Sequence, residues 1–113
     1  MPHRRKPPIT FVDDQGGAFA ALAAALVGAH GRQAFAFTTA PPNVPGEIDV
    51  VLTEIGASPR GALPLGPGAG EPLDVSAWGH PLFDGEGELE KLALARIARD
   101  RIERRVEALL AAK

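Results

Sequence analysis

The sequence predicts an α/β fold: a doubly wound parallel sheet of about four strands carrying a long C-terminal helix. Three observations lead there. From Ile9 to Leu26 a β-branched and aromatic run passes through a glycine-bearing turn into an Ala-rich helix. Beyond it, short apolar runs bounded by Gly and Pro follow one another. The chain then finishes on one long helix-period segment rich in Arg, Glu and Leu.

The first strand spans Pro8 to Asp13, with Pro8 tolerable at a strand start. A helix from about Gly17 to Ala29 presents Phe19, Leu22, Ala23 and Leu26 on one face, and Gly31 supplies a left-handed stop after His30. Ala34 to Thr39 alternates large and small residues as a second strand, ended by Pro41, Pro42, Pro45 and Gly46. Ile48 to Ile55 reads two ways. Ile48, Val51, Leu52 and Ile55 would line a helix face, but the continuous run IDVVLT suits a strand buried on both faces, and the strand is the expectation. Five Gly and four Pro between Gly56 and Pro72 imply a long loop, followed by a short fourth strand from Leu73 to Trp78. The final helix opens at Asp84 or Gly87 and runs to about Ala112, roughly 40 Å. Leu94, Ile97, Ala98, Ile102, Val106, Leu109 and Leu110 form its apolar stripe, with Arg99, Glu103, Arg104 and Glu107 on a solvated face. Glu86, Glu88 and Glu90 at its start and Lys113 at its end complement the helix dipole.

The 113 residues suit one domain, residues 8–113, preceded by a basic arm at 1–7 holding His3, Arg4, Arg5 and Lys6. With 12 basic and 14 acidic side chains the net charge is −2, which argues against a nucleic-acid binder acting through a general basic field. No cysteine occurs, so disulfides, thiolate metal sites and thiol nucleophiles are excluded. No apolar run approaches a membrane span, and a cytoplasmic protein without membrane contact is expected.

The functional stretch is the turn after the first strand, where backbone N–H groups converge on a helix N-terminus. It holds two carboxylates, Asp13 and Asp14, which would repel an anionic ligand. They suit a divalent cation through hard oxygen ligands, or a loop carboxylate capping helix N–H groups, the plainer reading. His30 and His80 have no partner at metal spacing, Gly16-Gly17 lacks the third glycine of a dinucleotide fingerprint, and Trp78 reads as a core anchor.

At these residues the chain resembles the low-molecular-weight protein tyrosine phosphatase and arsenate reductase superfamily. Phe11 and Val12 match its strand end, Gly16, Gly17 and Ala18 its turn, and Leu22, Ala23, Ala25 and Leu26 its helix. Ile48 to Thr53 looks like its third strand, Trp78-Gly79-His80-Pro81 like the segment before its aspartate loop, and Arg99 to Leu110 like the terminal helix of the arsenate reductase branch. The resemblance implies strand order 2-1-3-4, with the family's second helix missing between Ala40 and Glu47. It also implies a vestigial loop of Asp13, Asp14, Gln15, Gly16, Gly17, Ala18 and Phe19. There Asp13 stands at the nucleophilic Cys, Phe19 at the phosphate-clamping Arg and Ala20 at the following Ser, with Asp84 a remnant of the acid loop. A fixed carboxylate and an apolar ring supply neither nucleophile nor charge complement, so no catalytic residue and no cofactor are expected.

A response-regulator receiver is the competing resemblance. Val12-Asp13-Asp14, Glu54 at the end of IDVVLTEI and Val75-Ser76-Ala77 look like its acidic pair, acceptor strand and phosphate sensor, implying Mg²⁺ on Asp13, Asp14 and Glu54. No fifth strand with its Lys is found. Finally, a sheet lacking a covering helix exposes an apolar face, which predicts a homodimer with Val50, Leu52, Leu63 or Leu65 near its interface, or contact with another protein.

Overall fold

A computed structural model of the chain describes residues 7–66, 71–78 and 87–112. The elements are β1 (Ile9–Asp13), α1 (Ala18–Ala29), β2 (Ala34–Thr38), α2 (Gly46–Glu54), β3 (Leu63–Pro64), β4 (Leu73–Asp74) and α3 (Glu88–Ala111). The four strands form one parallel sheet in the order β3-β2-β1-β4. β1 and β2 pair along their whole length, from Ile9 opposite Ala34 to Asp13 opposite Thr38.

Helix α1 sits at the centre of the core. Every residue from Ala18 to Val27 is buried, because the helix packs on β1 and β2 and is also in contact with α2 and α3. A helix enclosed on all sides needs apolar residues all round, and small ones where neighbouring elements come close. The Ala content of α1 meets that demand, which is wider than the single face expected from Phe19, Leu22, Ala23 and Leu26. Its end is a Schellman motif: Gly31 adopts φ 82°, its N–H donates to the Gly28 carbonyl and that of Arg32 to the Val27 carbonyl.

Five expectations are corrected. Ile48 to Ile55 is not a strand but most of α2. Glu47 and Asp49 occupy its first turn and complement the dipole, Ile48, Val51 and Leu52 are its buried residues, and Asp49, Val50 and Thr53 face solvent. A strand buried on both faces would have had to bury Asp49 as well; the helical spacing outweighed β-branched propensity. The expected gap between the second and third strands is therefore filled by a helix. Strand order 2-1-3-4 gives way to 3-2-1-4, since Leu73–Asp74 pairs directly with β1 and a two-residue strand within the Gly/Pro loop pairs with β2. On α3, Ile97 is exposed and Ala95 takes its place beside Ala98, Ile102 and Val106 in the core. Arg99, expected in solvent, has a side chain only 12% exposed. It donates to the Val51 carbonyl (3.0 Å) and Glu54 (2.9 Å) and so ties α3 to the end of α2.

The other sheet face carries Phe35, Phe37 and Leu63, in register with Thr10 and Val12 of β1. Phe35 is 43% and Leu63 63% exposed. Eight residues, 65–72, lie along the chain between Pro64 and Leu73.

Enlarging an enclosed Ala tests this arrangement. Ala24→Leu is predicted to cost about 1–3 kcal/mol in urea unfolding through overpacking, whereas Ala29→Leu, at an exposed position of the same helix, leaves stability nearly unchanged.

Candidate functional site

The loop after β1 is organised by its first carboxylate. Asp13 is 1% exposed. Its Oδ1 accepts the N–H groups of Gln15 and Gly17, both at 2.8 Å, and its Oδ2 accepts the Ala20 N–H at 2.7 Å. The Ala20 donor lies in the first turn of α1, so a strand side chain caps the helix and satisfies donors that the turn would otherwise leave open. Gly17, at φ 97°, makes the turn close enough for this. A Cβ there would collide with the Ala62 side chain, and an L-residue would be strained. The Asp13 carbonyl in turn accepts the Thr39 N–H at 2.9 Å.

Asp14 is exposed and turned the other way. Its carboxylate accepts the Gln15 Nε2 at 2.8 Å, and its N–H donates to Ser76 Oγ at 3.1 Å. Ser76 also donates its N–H to Asp74 at 2.9 Å. Hydrogen bonds from the Ser76 hydroxyl, then from its amide, hold the Asp74 carboxyl below its ordinary value. Phe19 is buried in the core and Ala20 has no polar group, so the positions matched to a clamping Arg and a Ser contribute no side-chain donor to the loop. Trp78 packs edge-to-face on Phe11 with ring centres 6.1 Å apart, as a core anchor does. Asp84, His80 and the acid-loop remnant fall outside the described residues.

Glu54 belongs elsewhere. It ends α2 and is bound by Arg96 and Arg99 of α3, not gathered with Asp13 and Asp14. The receiver-like reading needed a strand ending at Glu54; that segment is helical. Among the described residues no group of three or more His, Asp or Glu could hold a metal ion. The ties from Ser76 and Thr39 to the loop were not anticipated. Their signal was a polar residue just beyond each neighbouring strand, which acquires meaning only once β4 and β2 are known to flank β1.

Chemically, the loop is an anion cradle already holding an anion. Burial and donors on both oxygens keep the Asp13 carboxylate from approaching a substrate, and three N–H groups that could stabilise an external oxyanion are engaged.

Two variants follow. Asp13→Ala strips three N–H groups of their acceptor, each worth about 1–3 kcal/mol when buried, so a loss of about 3 kcal/mol or more is predicted in urea unfolding. Phosphate should stabilise this variant through the vacated cradle, by about 2.7 kcal/mol at 100 times its dissociation constant, seen as a raised melting temperature, and should leave the melting temperature of the wild type unmoved. At Glu54, the hydrogen bond from Arg96, then that from Arg99 and the attraction of both, lower the carboxyl pKa. Its stabilisation is therefore complete above the ordinary glutamate value and is lost as pH falls through the lowered one. Glu54→Gln should remove that acid-side slope from a plot of melting temperature against pH.

No protein-family model matches the sequence, and neither does any curated protein. Among solved structures the chain is similar to an arsenate reductase in its reduced state, at TM-score 0.67 and 17% identity, over 95% of this chain and 98% of that one. The likeness covers nearly the whole of both chains, and this chain has the fold of an arsenate reductase.

Proposed function

We propose that this protein is a catalytically inactive arsenate reductase-like domain of the cytoplasm that acts through binding, its partner being a second copy of itself or another protein, with no role for nucleic acid or membrane. The supporting observation is the Asp13 carboxylate lodged in the cradle of Gln15, Gly17 and Ala20 N–H groups. The absence of cysteine agrees with it, since the usual nucleophile is missing. No helix among the described residues is long and apolar enough to cross a membrane.

The exposed sheet face supports self-association. Phe35, Phe37 and Leu63 stand on one side of the sheet, with Leu65 exposed just beyond β3. Leu52 is withdrawn from the interface because it is fully buried in α2. Val50, on the helix side, is not part of this patch. A twofold contact would cover the face.

The reading is tested with the wild type and an aryl phosphate. No hydrolysis is expected, and turnover that Asp13→Ala abolishes would refute inactivity. Light scattering is expected to give twice the 11.8 kDa chain mass, falling to the monomer in Phe35→Glu. A monomer mass for the wild type would remove the homodimer and leave another protein as the partner.

A further inference from the structure

At the opposite end of the sheet from Asp13 lies a groove of about 880 Å³, lined by Pro7, Pro8, His30, Gly31, Arg32, Gln33 and Leu110. Its size falls in the range of small-molecule sites. Four elements meet there: the start of β1, the C-cap of α1, the approach to β2 and the last turn of α3. The groove owes nothing to the loop after β1.

Its chemistry is one-sided. Among the described residues, Arg32 and His30 are the ionisable side chains of the lining, and no carboxylate is among them. The carbonyls ending α1, which would repel an anion, are occupied: those of Leu26, Val27 and Gly28 accept the N–H groups of His30, Gly31 and Arg32 at 2.9 to 3.3 Å. The Arg32 guanidinium is under-used. Its Nη2 donates to the Pro7 carbonyl at 3.2 Å, while its Nε is buried without an acceptor among the described residues. A buried donor in that state is costly, and native structures resolve such groups with a ligand, an ion or ordered water.

We propose that this groove binds a small monocarboxylate on an apolar body, its carboxylate on the Arg32 guanidinium beside His30 and its apolar part against Pro8 and Leu110. The planar guanidinium fork matches a carboxylate, which is also planar. Pro7, Pro8 and Leu110 offer apolar walls that inorganic phosphate cannot use. The C-terminal end of α3 lies at the same place and disfavours a multiply charged anion.

The probe is benzoate, titrated into the full chain and followed by amide NMR, with benzyl alcohol and inorganic phosphate as separate arms. Saturable shifts centred on Gly31, Arg32 and Gln33 are expected for benzoate, with both other probes at least about tenfold weaker. Arg32→Gln should weaken benzoate by about tenfold or more. Should that variant fail to melt cooperatively, Leu110→Glu, which sets a like charge in the groove from a half-buried position on the last turn of α3, should produce the same loss. Absence of saturation, shifts elsewhere in the chain, or benzoate affinity unchanged in the folded variant would overturn the assignment, and phosphate binding as tightly as benzoate would overturn the carboxylate class. The shifts are read in the wild type, whose loop donors are occupied by Asp13, and at residues outside that loop, so this result and the inactivity of the loop stand or fall separately.

Discussion

Three hydrogen bonds to one buried carboxylate join the end of β1 to the start of α1, and most of the architecture is placed by that junction. Asp13 is the last residue of β1, and Ala20 lies in the first turn of α1. Holding the two together determines where α1 leaves the sheet. It also determines where the carbonyl of Asp13 meets Thr39 beyond β2 and where the N–H of Asp14 meets Ser76 beyond β4. The donors are backbone groups that any sequence would present here. The carboxylate is the part that the sequence chose, and it makes a turn suited to external anions self-sufficient.

Enclosure of α1 is the second constraint, and it explains an asymmetry of the whole molecule. Because α1 lies between the sheet and the pair α2 and α3, the apolar residues of the three helices are spent on a single side. There Val51 and Leu52 of α2 and Ala98, Ile102 and Val106 of α3 are buried in the same core as Leu22 and Val27 of α1. The Arg99 and Arg96 pairing with Glu54 fastens the two outer helices to each other. Partly exposed ion pairs of this kind contribute modestly to stability. The opposite sheet face is left with aromatic side chains from β2 and a two-residue edge strand.

Elements with strong local signals were legible in the sequence: β1, α1, β2 and α3 all form within a few residues of where their patterns place them. Gly31 stopped α1 as a left-handed glycine should. The run from Ile48 to Ile55 was misleading because IDVVLT satisfies strand propensity and helical spacing together. The decision rested on Asp49 and Glu54, whose exposure was not visible before the packing was known. Strand order failed for a related reason, since β3 and β4 are two residues each and pair through neighbours far away in sequence. Within the site, the capping role of Asp13 was readable from a carboxylate placed before a Gly turn and a helix. The separation of Glu54 from Asp13 depended wholly on the misread segment. The Arg32 groove combines residues from the two ends of the chain and left no local pattern to find.

These constraints bear on what replaces catalysis on the proposed reading. An oxyanion-binding loop that must stay open for a ligand keeps several backbone donors without a permanent acceptor, and that openness costs stability which function normally justifies. Once a carboxylate on the loop itself takes those donors, the cost disappears and so does the opening. Ligand or partner recognition must draw on surfaces that the carboxylate does not seal. Two such surfaces stand out among the described residues, the Phe35 and Leu63 sheet face and the Arg32 groove. Neither depends on the residues that turn the loop inward, so on the proposed reading binding at either surface is independent of the Asp13 loop.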